Sequence, residues 1–468
     1  MKQEKRWARL LVVLAALVFV AGACGSDDSS DENTESSSDS GDSTDGGDDG
    51  DSSDSEAATG PVAVCELAYY TGDFADLGAS LTADVTFPVE EVINADPPLG
   101  REWQMFSEDL GTVGEAQAAR ACLERHEAEI VVSIAHGYRE YRDFMIEYWE
   151  ENDAPIVPSV HGGAIPGNIG GSGDEPIFRA QGLDAGLGTS GILYAESIGA
   201  ESVVIFQTEV EGFILASDAA EGAADVVGIE VLDRIRAQPG QPSYRAQVEE
   251  IADLNPDAVI VQAGTVDSGA LIKQAAEAGL SLEWIGETGW TQPEFIGTLG
   301  AELVDTQKGI GFAAFAHDDS TPAWDFFSNA WNSTEGYGDT FGDASDLYHF
   351  STYDVMVQTA LAVEAAGSYS ASAWAPAMQA VGSAPGTECF NYEECLALIR
   401  DGEEIDYQGV TGTGDYTDGG VNNVSAAYTP ISSDGTAGTP VFLDAARSLE
   451  IVEAVAPLAE CEDNVCDW

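Results

Sequence analysis

The sequence predicts an α/β fold of two Rossmann-like lobes, each built on a parallel sheet, and three observations support this. Short apolar runs such as 130–134 are rich in β-branched residues and do not alternate, as expected of strands covered on both faces. Such runs alternate with segments of helical periodicity, which is typical of right-handed parallel βα units. Finally, about 410 residues follow a polar N-terminal region, too many for one ordinary core.

The first 24 residues have the pattern of an export signal. Four basic residues precede the uncharged segment 10–23, which is too short to span a bilayer and is typical of a secretory signal. The small residues before Cys24 resemble a bacterial lipobox, in which the cysteine is lipidated, although Ala21 stands where that pattern prefers Leu. The alternative is an ordinary signal peptidase site beside an unrelated cysteine. We expect residues 1–24 to be a lipoprotein signal and Cys24 to anchor the chain to the outer face of the cell membrane.

Residues 25–60 are almost entirely Ser, Asp, Glu, Gly and Thr, with thirteen acidic residues and no Lys or Arg. Such a segment cannot bury enough apolar surface to offset its chain entropy, so we expect a disordered, self-repelling tether. The whole sequence carries a formal net charge of −66. A field of that sign repels nucleic acid and anionic lipid. We therefore expect no nucleic-acid partner, and we interpret the acidic surface as an adaptation for solubility or high salt.

The cysteines favour disulfides over a metal site. Seven are present, and six remain if Cys24 carries lipid. An exported chain favours pairing them, and no histidine lies near the four C-terminal cysteines, so no metal site is expected. Spacing leaves the connectivity open. Our interpretation pairs Cys389 with Cys395, Cys461 with Cys466, and Cys65 with Cys122.

The predicted elements form two successive βα series. In the first series we predict strands at 61–70, 101–109, 130–134 and 155–159, with helices over 113–125 and after residue 138. In the second we predict strands at 202–207, 230–234, 258–262 and 282–286, with a helix at 265–278. Helices at 324–331 and 347–366 follow, and short alternating runs at 421–428 and 439–443 indicate antiparallel strands at the edge of one lobe.

Two polar loops follow neighbouring strands of the first series. The segment Ala135-His136-Gly137-Tyr138 follows the third strand, and Val160-His161-Gly162-Gly163 follows the fourth. Both loops leave the carboxyl ends of parallel strands, where open α/β sheets bind their ligands. We therefore expect a ligand site at this edge.

Several motifs appear in a fixed order along the predicted folded region. AYYTGDFADLG at 68–78 is similar to the pattern P-x-T-G-x-x-A-x-x-G, and GVTGTGDY at 409–416 is similar to GxTGxxxFD. Between them lie PIVPS at 155–159, IFR at 177–179, LNPDAV at 254–259, IKQAAEAG at 272–279 and WIG at 284–286. Together they resemble the extracytoplasmic solute-binding proteins of the branched-chain amino acid type, which serve ABC transporters and have the type I periplasmic-binding fold.

The resemblance implies two lobes joined by a three-crossing hinge that close on a solute. It implies a first lobe at 61–180, a second lobe at 181–312, a return to the first lobe at 313–400, and closing strands with a hinge crossing, mainly in the second lobe, at 401–468. It also implies which loops supply the ligand contacts. Those in the first lobe are His136, Gly137, Tyr138, Ser159, His161 and Gly162. Those in the second lobe are Glu211, Thr265, Glu287 and Trp290.

This sequence departs from the family pattern at three of these positions. Gly137 and Gly162 replace hydroxyl residues, and Glu211 replaces a tyrosine. Amide groups at a helix start, with His136 and His161, could still hold a carboxylate. Glu211 and Glu287 could pair with a cation, assisted by the ring of Tyr138 or Trp290. The expected solute is thus a zwitterion or a small cationic amide or amine. For each residue, helix capping, packing or solvent exposure is the alternative.

No catalytic constellation is recognisable in the sequence. No G-x-S-x-G elbow, P-loop or G-x-G-x-x-G fingerprint follows a predicted strand. We expect a monomeric, non-enzymatic binding protein, without cofactor or metal, that captures a small polar solute, amino acid or amide-like, for an ABC permease and ATPase complex. A sensor of the same fold that signals to a membrane partner is the main alternative. An amide hydrolase using His136 and Glu287 is a minor one.

Overall fold

A computed structural model describes residues 60–71, 75–133, 137–161, 163, 165–171, 175–422, 424–456, 458–462 and 465–467. For residues 75–77, 184, 211, 445, 446, 461, 462 and 465–467 it describes the backbone but not the side chains. The predictions for the signal, for Cys24 and for the acidic segment up to residue 59 lie outside the described residues.

Strands and helices alternate along most of this range. The strands are β1 Val62–Ala68, β2 Trp103–Asp109, β3 Ile130–Val132, β4 Val157–Ser159, β5 Ile177–Arg179, β6 Ser202–Thr208, β7 Glu230–Ala237, β8 Ala258–Gln262, β9 Glu283–Gly286, β10 Gly309–Phe315, β11 Thr387–Cys389, β12 Ile405–Tyr407, β13 Ala426–Pro430, β14 Val441–Phe442, β15 Glu460–Glu462 and β16 Val465–Asp467. The helices are α1 Ala75–Phe87, α2 Leu110–Val113, α3 Glu115–His126, α4 Tyr138–Asn152, α5 Asp184–Ser197, α6 Glu211–Val227, α7 Arg245–Leu254, α8 Thr265–Glu277, α9 Pro293–Leu299, α10 Ala301–Val304, α11 Pro322–Ser333, α12 Gly338–Phe341, α13 Leu347–Ala366, α14 Ala371–Ala380, α15 Tyr392–Arg400 and α16 Ala445–Val455.

The first lobe is organised around a parallel sheet. Strand β1 lies between β2 and β3 and is parallel to both, and β4 is parallel to β5. Parallel bridges from Ile130 to Ile156 and from Ser133 to Ser159 place β4 beside β3. All three residues of β3 are buried, as the absence of alternation in its sequence predicts. The carboxyl ends of β3 and β4 therefore meet at one edge of the sheet.

The second lobe contains a seven-stranded sheet in the order β14-β13-β10-β9-β8-β6-β7. Strands β6 to β10 pair in parallel, whereas β13 pairs antiparallel with β10 and with β14. The prediction of antiparallel strands at the edge of one lobe is confirmed. The earlier part of the predicted strand at 421–428 lies instead between the lobes, because pairing with β10 begins only at Ala426 opposite Phe315.

Helix α13 is the centre of the first-lobe core. Its fifteen consecutive residues from His349 to Val363 are all buried, so the helix is covered on every side. It shares one hydrophobic cluster with residues of β1, β3 and β5, among them Val64, Val132 and Phe178. None of the helices in the described part of the chain has both the length and the apolar character needed to cross a membrane.

The lobes are joined by the segments that follow β5, follow β10 and precede β13. The side chain of Arg179, fully buried at the end of β5, links the first of these to the third. Its guanidinium donates to the carbonyl oxygens of Ile169 (2.6 Å) and Gly419 (2.7 Å). Burial lowers the pKa of this guanidinium to about 9. On α13, Asp354 accepts hydrogen bonds from the amide and hydroxyl of Thr411 (2.6 and 2.7 Å) and so holds the third segment.

A fourth segment connects the lobes near the C-terminus. Helix α16 packs on α5 and α6 of the second lobe. A few residues later, Ala459 is buried in a first-lobe cluster and exchanges two 2.8 Å hydrogen bonds with the side chain of Asn168. The C-terminal chain therefore crosses from the second lobe back to the first.

Two of the three predicted disulfides are confirmed. Cys65 on β1 bonds to Cys122 on α3, and Cys389 on β11 bonds to Cys395 on α15. Strands β15 and β16 place Cys461 opposite Cys466 in an antiparallel pair. The side chains of this last pair lie outside the description, so the third disulfide stays a prediction.

Candidate functional site

The candidate site is formed by strand ends of the two sheets. In the first lobe it comprises the loops after β3 and β4, and in the second lobe the loops after β8 and β9. Of the predicted contacts, His136 and Gly162 lie outside the described residues. Glu211 is described only as the first residue of α6, without its side chain.

The N-terminus of α4 is capped by a carboxylate from the same lobe. The amide of Gly137 donates to Glu115 Oε2 at 2.6 Å, and Glu115 Oε1 accepts from the hydroxyls of Tyr141 (2.8 Å) and Ser133 (3.2 Å). Glu115 is buried. An amide at a helix start lacks an intrahelical partner, and here an internal anion supplies it. Of the helix-start amides predicted to hold a ligand carboxylate, that of Gly137 is therefore already occupied.

Ser159 is buried, and its hydroxyl contacts backbone carbonyl groups. Its hydroxyl is 3.1 Å from both the carbonyl oxygen of Ser133 and that of His161. The prediction that Ser159 presents a hydroxyl to a ligand is corrected, because the hydroxyl closes the end of β4 against β3. His161 is partly exposed, and its Nδ1 accepts a 2.9 Å hydrogen bond from the amide of Gly163. This bond leaves the proton of the neutral ring on Nε2.

Tyr138 lies in the core, which corrects its predicted role as a cation-binding ring. It is 1% exposed, its ring packs edge-on against Tyr141, and its hydroxyl donates to Glu175 Oε2 at 2.6 Å. Burial and the adjacent Glu175 carboxylate raise the pKa of Tyr138 well above its usual value. The Arg142 side chain also binds Glu175. Tyr138 thus anchors α4 and does not offer its ring to the edge of the sheet.

The second-lobe loops bring Thr265 and Glu287 together around a glycine. Glu287 follows β9 and its Oε2 accepts from the amide of Gly289 at 2.8 Å. Thr265 begins α8 and its hydroxyl donates to the carbonyl oxygen of Gly289 at 3.2 Å. A Cβ atom at Gly289 would lie 2.6 Å from Glu287 Oε1 and 2.7 Å from Thr265 Oγ1. A side chain at position 289 would therefore have to displace Glu287 or Thr265, and the sequence analysis missed this role of Gly289.

Glu287 is a partly buried carboxylate. Burial raises its pKa, and the hydrogen bond from Gly289 lowers it by a smaller amount. Among the described residues, no Lys, Arg or His side chain forms an ion pair with Glu287. A partly buried carboxylate without a cationic partner is costly to ionise, so a ligand cation would supply the missing charge.

Trp290 belongs to the second-lobe core, so its predicted role at the ligand is also corrected. The side chain is fully buried and stacks on Phe295 with ring centroids 4.6 Å apart. A Cβ atom at Gly286 would lie 2.1 Å from the Trp290 ring, so the ring packs directly on the backbone of β9. The 3₁₀ turn Thr288–Thr291 directs this side chain inward while Glu287 stays at the edge.

Comparisons with known proteins agree with this architecture. A family model described as periplasmic binding protein matches residues 61–388. A search of curated proteins finds no match. The structure is similar to that of a leucine-binding protein from Thermotoga maritima, with 17% identity and a TM-score of 0.60 over 82% of this chain and 99% of that one.

Two further solved structures are similar. One is a branched-chain amino acid transporter substrate-binding protein from Streptococcus pneumoniae in complex with isoleucine, with 14% identity and a TM-score of 0.60 over 82% of this chain and 99% of that one. The other is a solute-binding protein of an ABC transporter from R. palustris in complex with benzoate, with 14% identity and a TM-score of 0.57 over 87% and 99%.

Proposed function

Because the chain belongs to the periplasmic binding protein family, whose members are non-enzymatic solute-binding proteins of ABC transporters, we propose a lipid-anchored role for it outside the cytoplasm. In this role it captures a small polar solute, amino acid or amide-like, between its lobes. It then delivers the solute to an ABC permease and ATPase complex. Cys24 is the proposed anchor, and residues 25–60 are the proposed tether.

The observation that carries the proposal is Glu287. It is a partly buried carboxylate at a strand end, positioned by Thr265 and Gly289 and without a described cationic partner. Parallel α/β sheets bind ligands at such strand ends. A solute ammonium or amide group at this place would donate to the carboxylate and restore its usual ionisation.

The first-lobe edge supports the same solute class. The amide of Gly137, which would suit a solute carboxylate, already binds Glu115. The solved relatives are described with isoleucine and with benzoate, so the shared fold accommodates both zwitterions and anions. In this chain, the carboxylate of Glu287 at a strand end favours a cationic or amide group over a free anion.

The proposed mechanism is a shift from open to closed lobes. Contacts made only when both sheet edges meet the solute stabilise the closed state, and no covalent step is needed. The three interlobe segments, held by Arg179 and Asp354, act as the hinge.

A thermal-shift screen tests the solute class. The unit Ala58–Trp468, which has its own cores, is heated with amino acids, amides, polyamines and aromatic acids, and the same panel is applied to Glu287→Gln. A ligand with micromolar Kd at millimolar concentration stabilises the folded state by roughly 4 kcal/mol. We expect amines or amides to raise the midpoint and Glu287→Gln to reduce the rise. Hits confined to aromatic acids, or no hits, would contradict the proposed solute class.

The lipid anchor requires a separate experiment in cells. We expect Cys24→Ala to release the exported protein from the membrane, because the acylated cysteine is the proposed hydrophobic attachment. Fractionation of cells that express the wild type or the variant measures this. Substitution of a tether residue, Ser26→Ala, is the matched control and should leave the protein with the membrane. Continued retention of Cys24→Ala would contradict the anchor while leaving the solute proposal intact.

A further inference from the structure

The carboxylate of Glu115 lies among three donors at the start of α4. Its Oε2 accepts from the Gly137 amide at 2.6 Å, and its Oε1 accepts from the hydroxyls of Tyr141 at 2.8 Å and Ser133 at 3.2 Å. A backbone amide at a helix start together with two hydroxyls would also suit the carboxylate of a free solute. A group of the chain itself therefore fills a place that is built to bind an anion.

This place lies at the same edge of the first-lobe sheet as the candidate site. Ser133 bridges to Ser159 at the ends of β3 and β4, and Gly137 directly precedes α4. Burial and the nearby Glu115 carboxylate raise the pKa of the Tyr69 phenol, which follows β1. Gly137 and Tyr69 are partly exposed, whereas Glu115 is 6% exposed. The Glu115 charge therefore lies directly beneath the surface of this edge.

The glycine at position 137 is coupled to Glu115. A Cβ atom at Gly137 would lie 3.0 Å from both Cβ and Oε2 of Glu115. Any larger residue there would crowd the carboxylate, and this includes the hydroxyl residue that the family pattern has at this position. The replacement of that hydroxyl residue by glycine is thus accounted for by the internal carboxylate beside it.

We propose that Glu115 is a specificity-determining residue, which excludes solutes that would place a free carboxylate at the first-lobe edge. This role rests on the proposed function and narrows the solute to an amine or amide without that carboxylate. The Glu115 charge repels a second carboxylate, and the donors that would bind one are already engaged. A neutral carboxamide at the same place is not repelled in this way. Specificity of this kind depends on a repulsive element as well as an attractive one, which here is Glu287.

Pairs of an amino acid and its C-terminal amide test this role. Leucine, phenylalanine, serine and lysine are compared with their amides by calorimetric titration of the full chain at about pH 6, where both members of a pair carry a protonated α-amine. Because the ammonium and the side chain are shared, a contact with Glu287 contributes equally to both members. We expect the wild type to bind the amides at least about tenfold more tightly than the acids.

Variants locate the effect. Glu115→Ala should reduce the preference for the amides at least about tenfold, through tighter binding of the acids. The matched control is Glu140→Ala, which removes an exposed acidic residue from the first turn of the same helix and should leave the preference unchanged. Glu115→Gln removes the charge and keeps an acceptor for the Gly137 amide. It replaces Glu115→Ala if that variant does not fold, with an expected reduction of at least about threefold.

Three results would overturn the proposal. These are wild-type binding of the acids as tight as that of the amides, no gain in affinity for the acids in the Glu115 variants, and an equal gain in Glu140→Ala. The first result would leave the proposed function standing, with a zwitterionic amino acid as the solute. Failure of the proposed Glu287 site would appear differently, as unchanged affinity of every bound solute in Glu287→Gln.

Discussion

Glu287 combines two properties that rarely coincide in a purely structural side chain. It caps the turn that follows β9, a role for which a neutral hydrogen-bond acceptor would suffice. It is nevertheless a carboxylate whose pKa burial raises, without a described cationic partner. In the free protein, ionising Glu287 therefore carries a desolvation cost, and a cationic solute would offset it. This behaviour is expected of a binding residue.

We predict that Glu287→Gln weakens binding of an amine or amide solute by about 2 to 4 kcal/mol, because a charged hydrogen bond becomes a neutral one. The capping oxygen remains, so the fold should be retained. Calorimetric titration with the solute found in the screen measures the effect. The matched control is Glu294→Gln, an exposed position on α9. Equal affinities of wild type and Glu287→Gln would remove Glu287 from the site.

Glu66 is a second buried carboxyl, inside the first-lobe sheet. Burial raises its pKa to about 8, against a smaller opposing effect of hydrogen bonds such as that from Ser107. The folded state thus holds a proton that the unfolded state releases near pH 4.5. The stability that this proton provides is complete below pH 4.5 and is lost as the pH rises to 8 and beyond.

We predict that Glu66→Gln flattens the pH dependence of stability between pH 5 and pH 8. A single group of this kind lowers the free energy of unfolding by up to about 1.4 kcal/mol per pH unit, and glutamine removes that contribution. Urea denaturation at several pH values measures it, with Glu102→Gln at an exposed position as control. Parallel curves for wild type and Glu66→Gln would show that Glu66 is ionised in the folded protein.

The sequence did not reveal the direction of the side chains at the predicted site positions. The positions of Tyr138 and Trp290 just after strand ends were predicted correctly, but both side chains turn into the core. Glu115 was missed because it meets Gly137 across 22 residues of sequence, and no local pattern indicates that contact. A strand-end position therefore predicts where the backbone lies, whereas packing decides which side chains reach a ligand.

Elements with continuous apolar patterns were predicted best. The bounds of β8 and α13 agree with the sequence prediction, since each is a buried run that ends at polar or glycine residues. The strand predicted at 421–428 is shorter in the structure. Val421 and Val424 are buried where the chain passes between the lobes, and the bridges from Val421 to Arg179 and from Asn422 to Tyr416 are isolated ones. Apolar alternation alone cannot distinguish such a crossing from a strand.

The two described disulfides should contribute unequally to stability. Cys65 and Cys122 are 57 residues apart and join β1 to α3, whereas Cys389 and Cys395 are 6 residues apart. Loop-closure entropy predicts about 4 kcal/mol for the first and about 2 kcal/mol for the second. We expect Cys65→Ala with Cys122→Ala to lower the urea midpoint more than Cys389→Ala with Cys395→Ala. The reverse order would mean that the short loop constrains the native state more than the unfolded chain.

The arrangement of the whole molecule follows from the order of its elements. Alternating strands and helices predicted two parallel sheets, and the motifs ordered along the chain indicated the crossings between them. The fourth crossing through Ala459 was not predicted, because the contact with Asn168 spans 291 residues and depends on backbone groups. That crossing and the three interlobe segments all contribute residues to the wall of one cavity of about 480 Å³. The lobes are therefore joined by more segments than the sequence motifs alone indicate.

The net charge of −66 acts on the molecule as a whole. Mutual repulsion of like charges opposes the compact state, and salt screens it. The Debye length falls from about 30 Å at 0.01 M salt to about 8 Å at 0.15 M and about 3 Å at 1 M. We therefore predict that NaCl raises the unfolding midpoint, with most of the increase between 0.01 and 0.15 M.

Differential scanning fluorimetry at pH 7 measures this increase, and the same titration at pH 4.5 is the control. Near pH 4.5 many carboxyl groups are protonated, so the repulsion and the effect of salt on the midpoint should both shrink. Choline chloride should act like NaCl at equal ionic strength, because screening depends on charge and not on the identity of the cation. A midpoint that rises with NaCl but not with choline chloride would contradict general screening and indicate that sodium binds particular carboxylates. A midpoint that is unchanged up to 1 M NaCl would show that the acidic surface does not limit stability at low salt.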